Sequence, residues 1–328
     1  MKFRPLDEEM RCSMLGLGTG MLASLAKGLS EAERRCIVDT AAESGINLID
    51  TADSYAQGDC EMFLGRALRG RRDRFLLATK AGFRFASLGG MAKLLKPLAR
   101  SVVTRLRGAK KLATQARQTA MQTNVRSQDF SPHVIAQCLH ASLRRLRTDR
   151  VEIYFLHNPT FAAVRDEALG EVLRRCVKEG KARHFGVSSP DLEIVAAALE
   201  MPGLTVIETP VHPCVSAQAG ELWSRCAAQG IALIGNQISF SGRLLAPPPS
   251  GEPDEHAAIR PMLKKLADAK GISVPHLLLK FALAQPGVTS ILTGSTNPDH
   301  LRENVADALS PGALTVDEIT AIRSAGRP

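Results

Sequence analysis

Aromatic residues are scarce. They make up 4% of the 328 residues, with one tryptophan and two tyrosines, Tyr55 and Tyr154. So few rings cannot furnish stacking platforms along a single strand, and no nucleic-acid partner is expected. Long apolar runs are missing too: none reaches the 18 residues that a spanning helix needs, so membrane contact is not expected. The opening MKFRPLDEEM lacks the apolar stretch of a secretory signal. The seven cysteines are odd in number and widely spaced, with no C-x-x-C. That pattern excludes a disulfide framework or zinc knuckle and fits a reducing cytoplasm. No His-x-His and no cluster of carboxylates ends a strand, so no metal is expected.

Acidic residues are absent from one span. Between positions 84 and 128 there are ten Lys and Arg and no Asp or Glu. Without these ten, the 42 basic residues of the chain fall to 32, against 33 acidic ones. The formal charge of +9 therefore belongs to one cationic segment on a nearly neutral body, and says nothing about the body itself.

What is present is alternation. Eight short apolar runs, at 13–19, 47–52, 74–80, 151–157, 184–189, 204–210, 231–237 and 289–295, are separated by longer amphipathic segments, several ending in glycine. Strands alternating with helices predict a parallel sheet, and eight units in about 300 residues predict a single α/β domain over 1–328, a closed (β/α)8 TIM barrel. A doubly wound sheet would need a complete G-x-G-x-x-G after the first run. GLGTG at 16–20 is incomplete and reads as a glycine-rich turn at the barrel mouth.

Chemistry in such a barrel gathers at the C-terminal strand ends. The polar residues there are Asp50, Lys80, His157, Ser188 with Ser189, Glu208, Asn236 with Gln237, and Ser295. Tyr55 follows Asp50 by five residues. A phenol is a weak acid, and a nearby ammonium favours its ionised form. Lys80 can supply that ammonium, Asp50 can balance it, and His157 can bond a carbonyl oxygen. Together they make a general acid able to protonate an oxygen that gains negative charge, as carbonyl reduction by hydride requires. Each residue also has a plainer reading: Asp50 as a helix cap, Tyr55 as rim packing, Lys80 as a solvated charge, and His157-Asn158-Pro159 as a turn.

From the first strand to about Asp307 the chain resembles the aldo-keto reductases. The motif Ile49-Asp50-Thr51-Ala52 through Tyr55 is followed by Gly58, Glu61, Leu64 and Gly65, then Thr79-Lys80. Further on come SLRRLRTDRVEIYFLHNP, GKARHFGVSS and GSTNPDHLRENV in the family's order. The resemblance implies that Tyr55 is the proton donor, that Lys80 and Asp50 tune it, and that His157 orients the carbonyl. It implies a nicotinamide cofactor held across the mouth without a Rossmann motif, by Gly18, Thr19, Asp50, Ser188, Ser189, Glu208, Asn236, Gly294, Ser295, Thr296, His300, Glu303 and Asn304.

Three positions depart from the family pattern. Glu208 stands where glutamine is usual, and an ionised carboxylate can accept from a carboxamide but not donate to it. Asn236 stands where many members stack an aromatic ring, for which Phe240 could substitute. His300 stands where NADPH-preferring members often carry arginine. NADP(H) is still the preferred cofactor on this reading, with NAD(H) open.

The segment 84–128 is far longer than an ordinary connection. Met91, Leu94, Leu95, Leu98, Val102 and Leu106 recur at helical spacing, which predicts a basic helical insert after the third strand, packed as a flap beside the mouth. The alternatives are a site for an acidic partner or an anionic substrate, or a membrane-surface helix. The function expected is therefore an NAD(P)H-dependent oxidoreductase interconverting a small carbonyl compound and an alcohol. The alternative is a cofactor-binding interaction subunit that docks through the insert. Substrate identity, physiological direction and oligomeric state are not legible.

Overall fold

The computed structural model describes residues 1–23, 28–85, 125–215, 218–248 and 253–326. Eight parallel strands close a barrel: β3 (Leu15–Gly18), β4 (Leu48–Asp50), β5 (Leu76–Ala81), β8 (Val151–His157), β9 (Ala182–Ser188), β10 (Val206–Pro210), β11 (Ala232–Asn236) and β12 (Val288–Thr293). Each lies within two residues of one of the eight apolar runs at either end. Two further strands, β1 (Phe3–Pro5) and β2 (Arg11–Ser13), pair antiparallel ahead of the barrel. Among the described residues no helix is long and apolar enough to cross a membrane.

Local chemistry sets the helix starts. Ser30 opens the helix Glu31–Glu43 with a reciprocal cap: the Glu33 amide donates to Ser30 Oγ at 3.2 Å, and the Ser30 amide donates to Glu33 Oε2 at 2.7 Å. Asp166, Asp191 and Ser273 cap later helices in the usual way, each accepting from first-turn amides.

The period-2 alternation of the strands divides the core in two. Ile49, Leu77, Tyr154, Leu156, Phe185, Val187, Ile207, Leu233 and Ile291 join the large cluster under the helices. Their neighbours Leu48, Ala78, Ile153, Phe155, Val206, Ile234 and Leu292 fill the barrel itself, together with Leu6 and Cys12 from the β1–β2 hairpin. The inner cluster is therefore contributed by residues of one parity. Continuing that parity one step towards the C-terminal ends reaches Asp50, Lys80, His157, Ser188, Glu208 and Asn236. The polar layer of the mouth is thus the layer above the apolar plug.

A buried carboxylate fixes the outer layer where the site is built. Glu61, on the helix Asp59–Ala67, is fully buried. It accepts from Thr79 Oγ1 of β5 at 2.6 Å and from Arg145 Nε at 2.5 Å, the latter near the end of the helix Pro132–Leu146. Gly65 lets the two helices close: a Cβ there would lie 2.5 Å from the Arg145 carbonyl oxygen. Glu61 and Gly65 of the sequence motif are thus the parts that lock helix to strand beside Lys80.

The cationic insert is described only at its ends. Residues Phe83–Phe85 (β6) and Val125–Gln128 (β7) pair as an antiparallel ribbon, and Arg84 meets Asp129 at 2.8 Å. The boundary positions 84 and 85 and 125–128 are therefore extended rather than helical. The helix predicted from Met91 to Leu106 lies outside the described residues.

Glu61→Ala removes a buried acceptor from two donors and should lower unfolding stability by about 2–3 kcal/mol. Urea denaturation followed through the buried single tryptophan, Trp223, reads this. A change under about 0.5 kcal/mol, the range of a neutral surface substitution, would show that the tie is not structural.

Candidate active site

Lys80 is the centre of the polar layer. Its side chain is fully buried, and its ammonium donates a short hydrogen bond to Asp50 Oδ1. A second carboxylate, Glu208 Oε2 on β10, lies 3.1 Å from the same nitrogen. The Thr51 carbonyl accepts at 3.4 Å. Asp50 and Glu208 are each 3% exposed. Loss of hydration would strip the proton from an isolated buried lysine, but the two carboxylates outweigh it and raise the Lys80 pKa above its ordinary value. Burial and the neighbouring Glu208 in turn push the Asp50 carboxyl up to about 8, against the pull of Lys80. Sequence placed Asp50 beside Lys80. It did not reveal that Glu208, expected only to touch cofactor, is a second counter-ion.

Tyr55 opens a tight turn, Tyr55–Gly58, just past the end of β4. Its amide donates to the Ala52 carbonyl at 3.1 Å, and its ring lies over Gly20. The next two residues, Ala56 and Gln57, have φ of 51° and 58°, a left-handed backbone that side chains with a Cβ adopt at a cost of about 1 kcal/mol or more each. Tyr55 thus sits immediately ahead of a left-handed turn at the barrel mouth. The Lys80 nitrogen stands 5.6 Å from the Tyr55 ring centroid. Loss of hydration raises the phenol above its ordinary pKa. Lys80 pulls it down, Asp50 and Glu208 push it up, and the balance is upward. Lys80 thus acts on Tyr55 in the expected sense, but burial first, and the two carboxylates after it, outweigh that pull.

His157 ends β8 edge-on to Tyr55, with ring centroids 6.2 Å apart, and edge-on to Phe83 at 4.8 Å. Ser54 Oγ lies 3.4 Å from its Nδ1. Loss of hydration and the Lys80 charge lower its pKa to about 3, so the imidazole is neutral at ordinary pH. The contacts from Ser54 and Phe83 went unread in the sequence, although Ser54 sits inside the motif that carries Tyr55.

The other expected residues line the same end of the barrel. Gly18 and Thr19 follow β3, and Thr19 donates to the Asp50 carbonyl through its amide at 3.0 Å and its hydroxyl at 2.8 Å. Ser188 and Ser189 are buried, and Ser189 Oγ accepts from the Asp191 amide at 3.1 Å, which commits that hydroxyl to a local turn. Asn236 Nδ2 donates to Glu208 Oε1 at 2.9 Å. Phe240 packs on His212, with centroids 4.5 Å apart, and on His256 at 4.9 Å.

Gly294 comes close to the Gly18 carbonyl, which places the segment after β12 next to β3. Ser295 is buried, Thr296 and Asn304 are half-buried, and His300 and Glu303 are exposed along the helix Pro298–Leu309, which Asn297 caps. Among the described residues no group of three or more His, Cys, Asp and Glu could hold a metal ion.

Comparison with known proteins agrees with this geometry. The family model described as Aldo/keto reductase family matches residues 14–327. The NADH-specific methylglyoxal reductase of Escherichia coli is 27% identical over 93% of this chain and 93% of its own length. The solved holo form of the aldo-keto reductase AKR11C1 from Bacillus halodurans is 26% identical, with a TM-score of 0.78 over 99% of this chain and 96% of that one. An aldo-keto reductase from Klebsiella pneumoniae, solved with NADP and acetate, shares the fold at 23% identity and a TM-score of 0.65, covering 98% and 94% of the two chains. A family match over nearly the whole length, on a closed barrel with Asp50, Tyr55, Lys80 and His157 at one mouth, means that this chain belongs to the aldo/keto reductase family.

Proposed function

We propose that this chain is an NAD(P)H-dependent oxidoreductase that interconverts an aldehyde or ketone and an alcohol, with Tyr55 as general acid and base. The observation that carries the reading is the convergence of Tyr55, the buried Lys80–Asp50 pair and neutral His157 at the ends of three consecutive barrel strands. The reductase among its relatives and the neighbours solved with NADP support the reaction class.

The mouth offers groups that fit a nicotinamide. Glu208 Oε2 and Asn236 Oδ1 are buried and make no hydrogen bond among the described residues, although Lys80 stands near the former. Two acceptors in that state suit the N–H groups of a carboxamide. Such a cofactor supplies a hydride to the carbonyl carbon when bound. The chain's own residues manage the oxygen. His157 bonds the carbonyl oxygen through the ring nitrogen that Ser54 leaves free, and its neutrality keeps a second cation away from Lys80. Tyr55 donates its proton as negative charge builds on that oxygen. Lys80 steadies the phenolate left behind, and Asp50 holds Lys80 in place.

The capped start of the helix Pro298–Leu309, with Ser295 and Thr296 before it, suits a phosphate. NADP(H) is accordingly proposed as the preferred cofactor, with NAD(H) accepted.

Three outcomes are expected. Tyr55→Phe should lower kcat by about 10²–10⁴-fold, and Lys80→Met should do likewise with cofactor affinity kept within a few-fold. A panel of small aldehydes assays both, and full turnover in either variant would remove Tyr55 as the donor. Fluorescence titration should give NADPH a lower Kd than NADH, and the opposite order would reassign the cofactor. Carbonyl reduction should hold as pH falls through 6.5, since a histidine with its pKa lowered to about 3 gains its proton only in strong acid. A loss centred near 6.5 in protein that stays folded by circular dichroism would mean that His157 titrates normally.

A further inference from the structure

The ordinary requirement of a buried lysine is one counter-charge, and Lys80 has two. Asp50 arrives from β4 and Glu208 from β10, which is not a neighbour of β5 in the barrel wall, so the contact crosses the interior. Asn236 on β11 fixes the far oxygen of Glu208 at 2.9 Å, which holds the near oxygen against Lys80. A surface ion pair could form by chance, but a carboxylate 3% exposed and anchored from behind is held there by the fold.

We infer that Glu208 is a positioning residue for the proton donor: anchored by Asn236, its carboxylate takes a share of the Lys80 charge and thereby keeps Tyr55 an un-ionised phenol. The inference rests on the reading above, in which Tyr55 is that donor. The groups facing Tyr55 can be counted by element. Asp50 comes from β4, Lys80 from β5, His157 from β8, Glu208 from β10, and Cys60 from the helix Asp59–Ala67. His157 is neutral, and burial raises the Cys60 thiol so that it too stays uncharged. In the alkaline range where a tyrosine ionises, above the value of about 8 for the Asp50 carboxyl, the charges that remain are one ammonium and two carboxylates. With glutamine at 208 the set would be balanced and a phenolate better tolerated. With glutamate it carries a net negative charge that opposes a second anion.

The consequence differs with direction. Reduction needs the protonated phenol, which Glu208 secures over a wide pH range. Oxidation of an alcohol needs the phenolate to accept the hydroxyl proton, so Glu208 moves the rise of that activity to higher pH.

Tyrosinate absorbance in the near ultraviolet tests this without cofactor or substrate. The chain has only two tyrosines, and the hydroxyl of buried Tyr154 donates to the Ile135 carbonyl at 2.8 Å. Glu208→Gln is nearly isosteric and can keep the bond from Asn236. It should bring one tyrosine into ionisation about one to two pH units below the unmodified chain, the scale of one unit charge removed at close range. Adding Tyr55→Phe should abolish that transition, and Glu208→Asp should restore the original titration. If Glu208→Gln does not fold, Glu208→Ala reads the same loss of charge. Coincident titrations of the folded variant and the unmodified chain would overturn the inference. Such a result would leave the donor assignment standing, which only the turnover of the Tyr55 and Lys80 variants can remove. As a second readout, the pH at which alcohol oxidation rises should fall by a similar amount in Glu208→Gln, and an unmoved profile would count against the role of Glu208.

Discussion

A fully buried ammonium constrains everything around it. Lys80 cannot be hydrated where it sits, so the fold must bring it compensating charge and keep that charge in place. Asp50 and Glu208 do so from two strands on different sides of the barrel, and the apolar plug of Leu48, Ala78, Ile153, Phe155, Val206 and Ile234 seals the layer from below. Moving any of the three strands by one residue would turn its charged side chain outward into the packed layer beneath the helices. The register of β4, β5 and β10 is thereby specified by charge as well as by apolar packing.

The same constraint reaches outward. Thr79, next to Lys80 but of opposite parity, faces the helices and bonds Glu61, which also holds Arg145. One dipeptide of β5 therefore anchors the catalytic layer on its inner face and the helical layer on its outer face. Left-handed backbone marks the short turn at Ala56 and Gln57 that follows Tyr55, and it recurs just past other strand ends at Asn158, Gln237, Phe240 and Ser241. The rigid barrel supplies the support that such a turn requires.

Much of this was legible in the sequence because it depends on period and position. The eight runs such as VEIYFLH mark the strands, and polar residues ending them mark the mouth. Asp50, Lys80 and His157 lie on successive strands, so their meeting follows from chain order. Glu208 and Lys80 are separated by 128 positions and by two intervening strands, and nothing local records that their side chains meet inside the barrel. The upward balance at Tyr55 is hidden from the sequence because it depends first on how deeply the phenol is buried and then on the two carboxylates beside Lys80. The ends of the insert form a ribbon because Phe83–Phe85 and Val125–Gln128 find each other across a long excursion, a pairing that helical spacing in the middle of the segment does not announce.

Nitrogen-15 NMR of the lysine side chains, followed with rising pH, tests the charge arrangement at Lys80 most directly. The account predicts one ammonium, assigned by its loss in Lys80→Met, that keeps its proton well past the ordinary lysine value of 10.5 while exposed lysines titrate. A Lys80 nitrogen already neutral at or below that pH, in protein that is still folded, would contradict it.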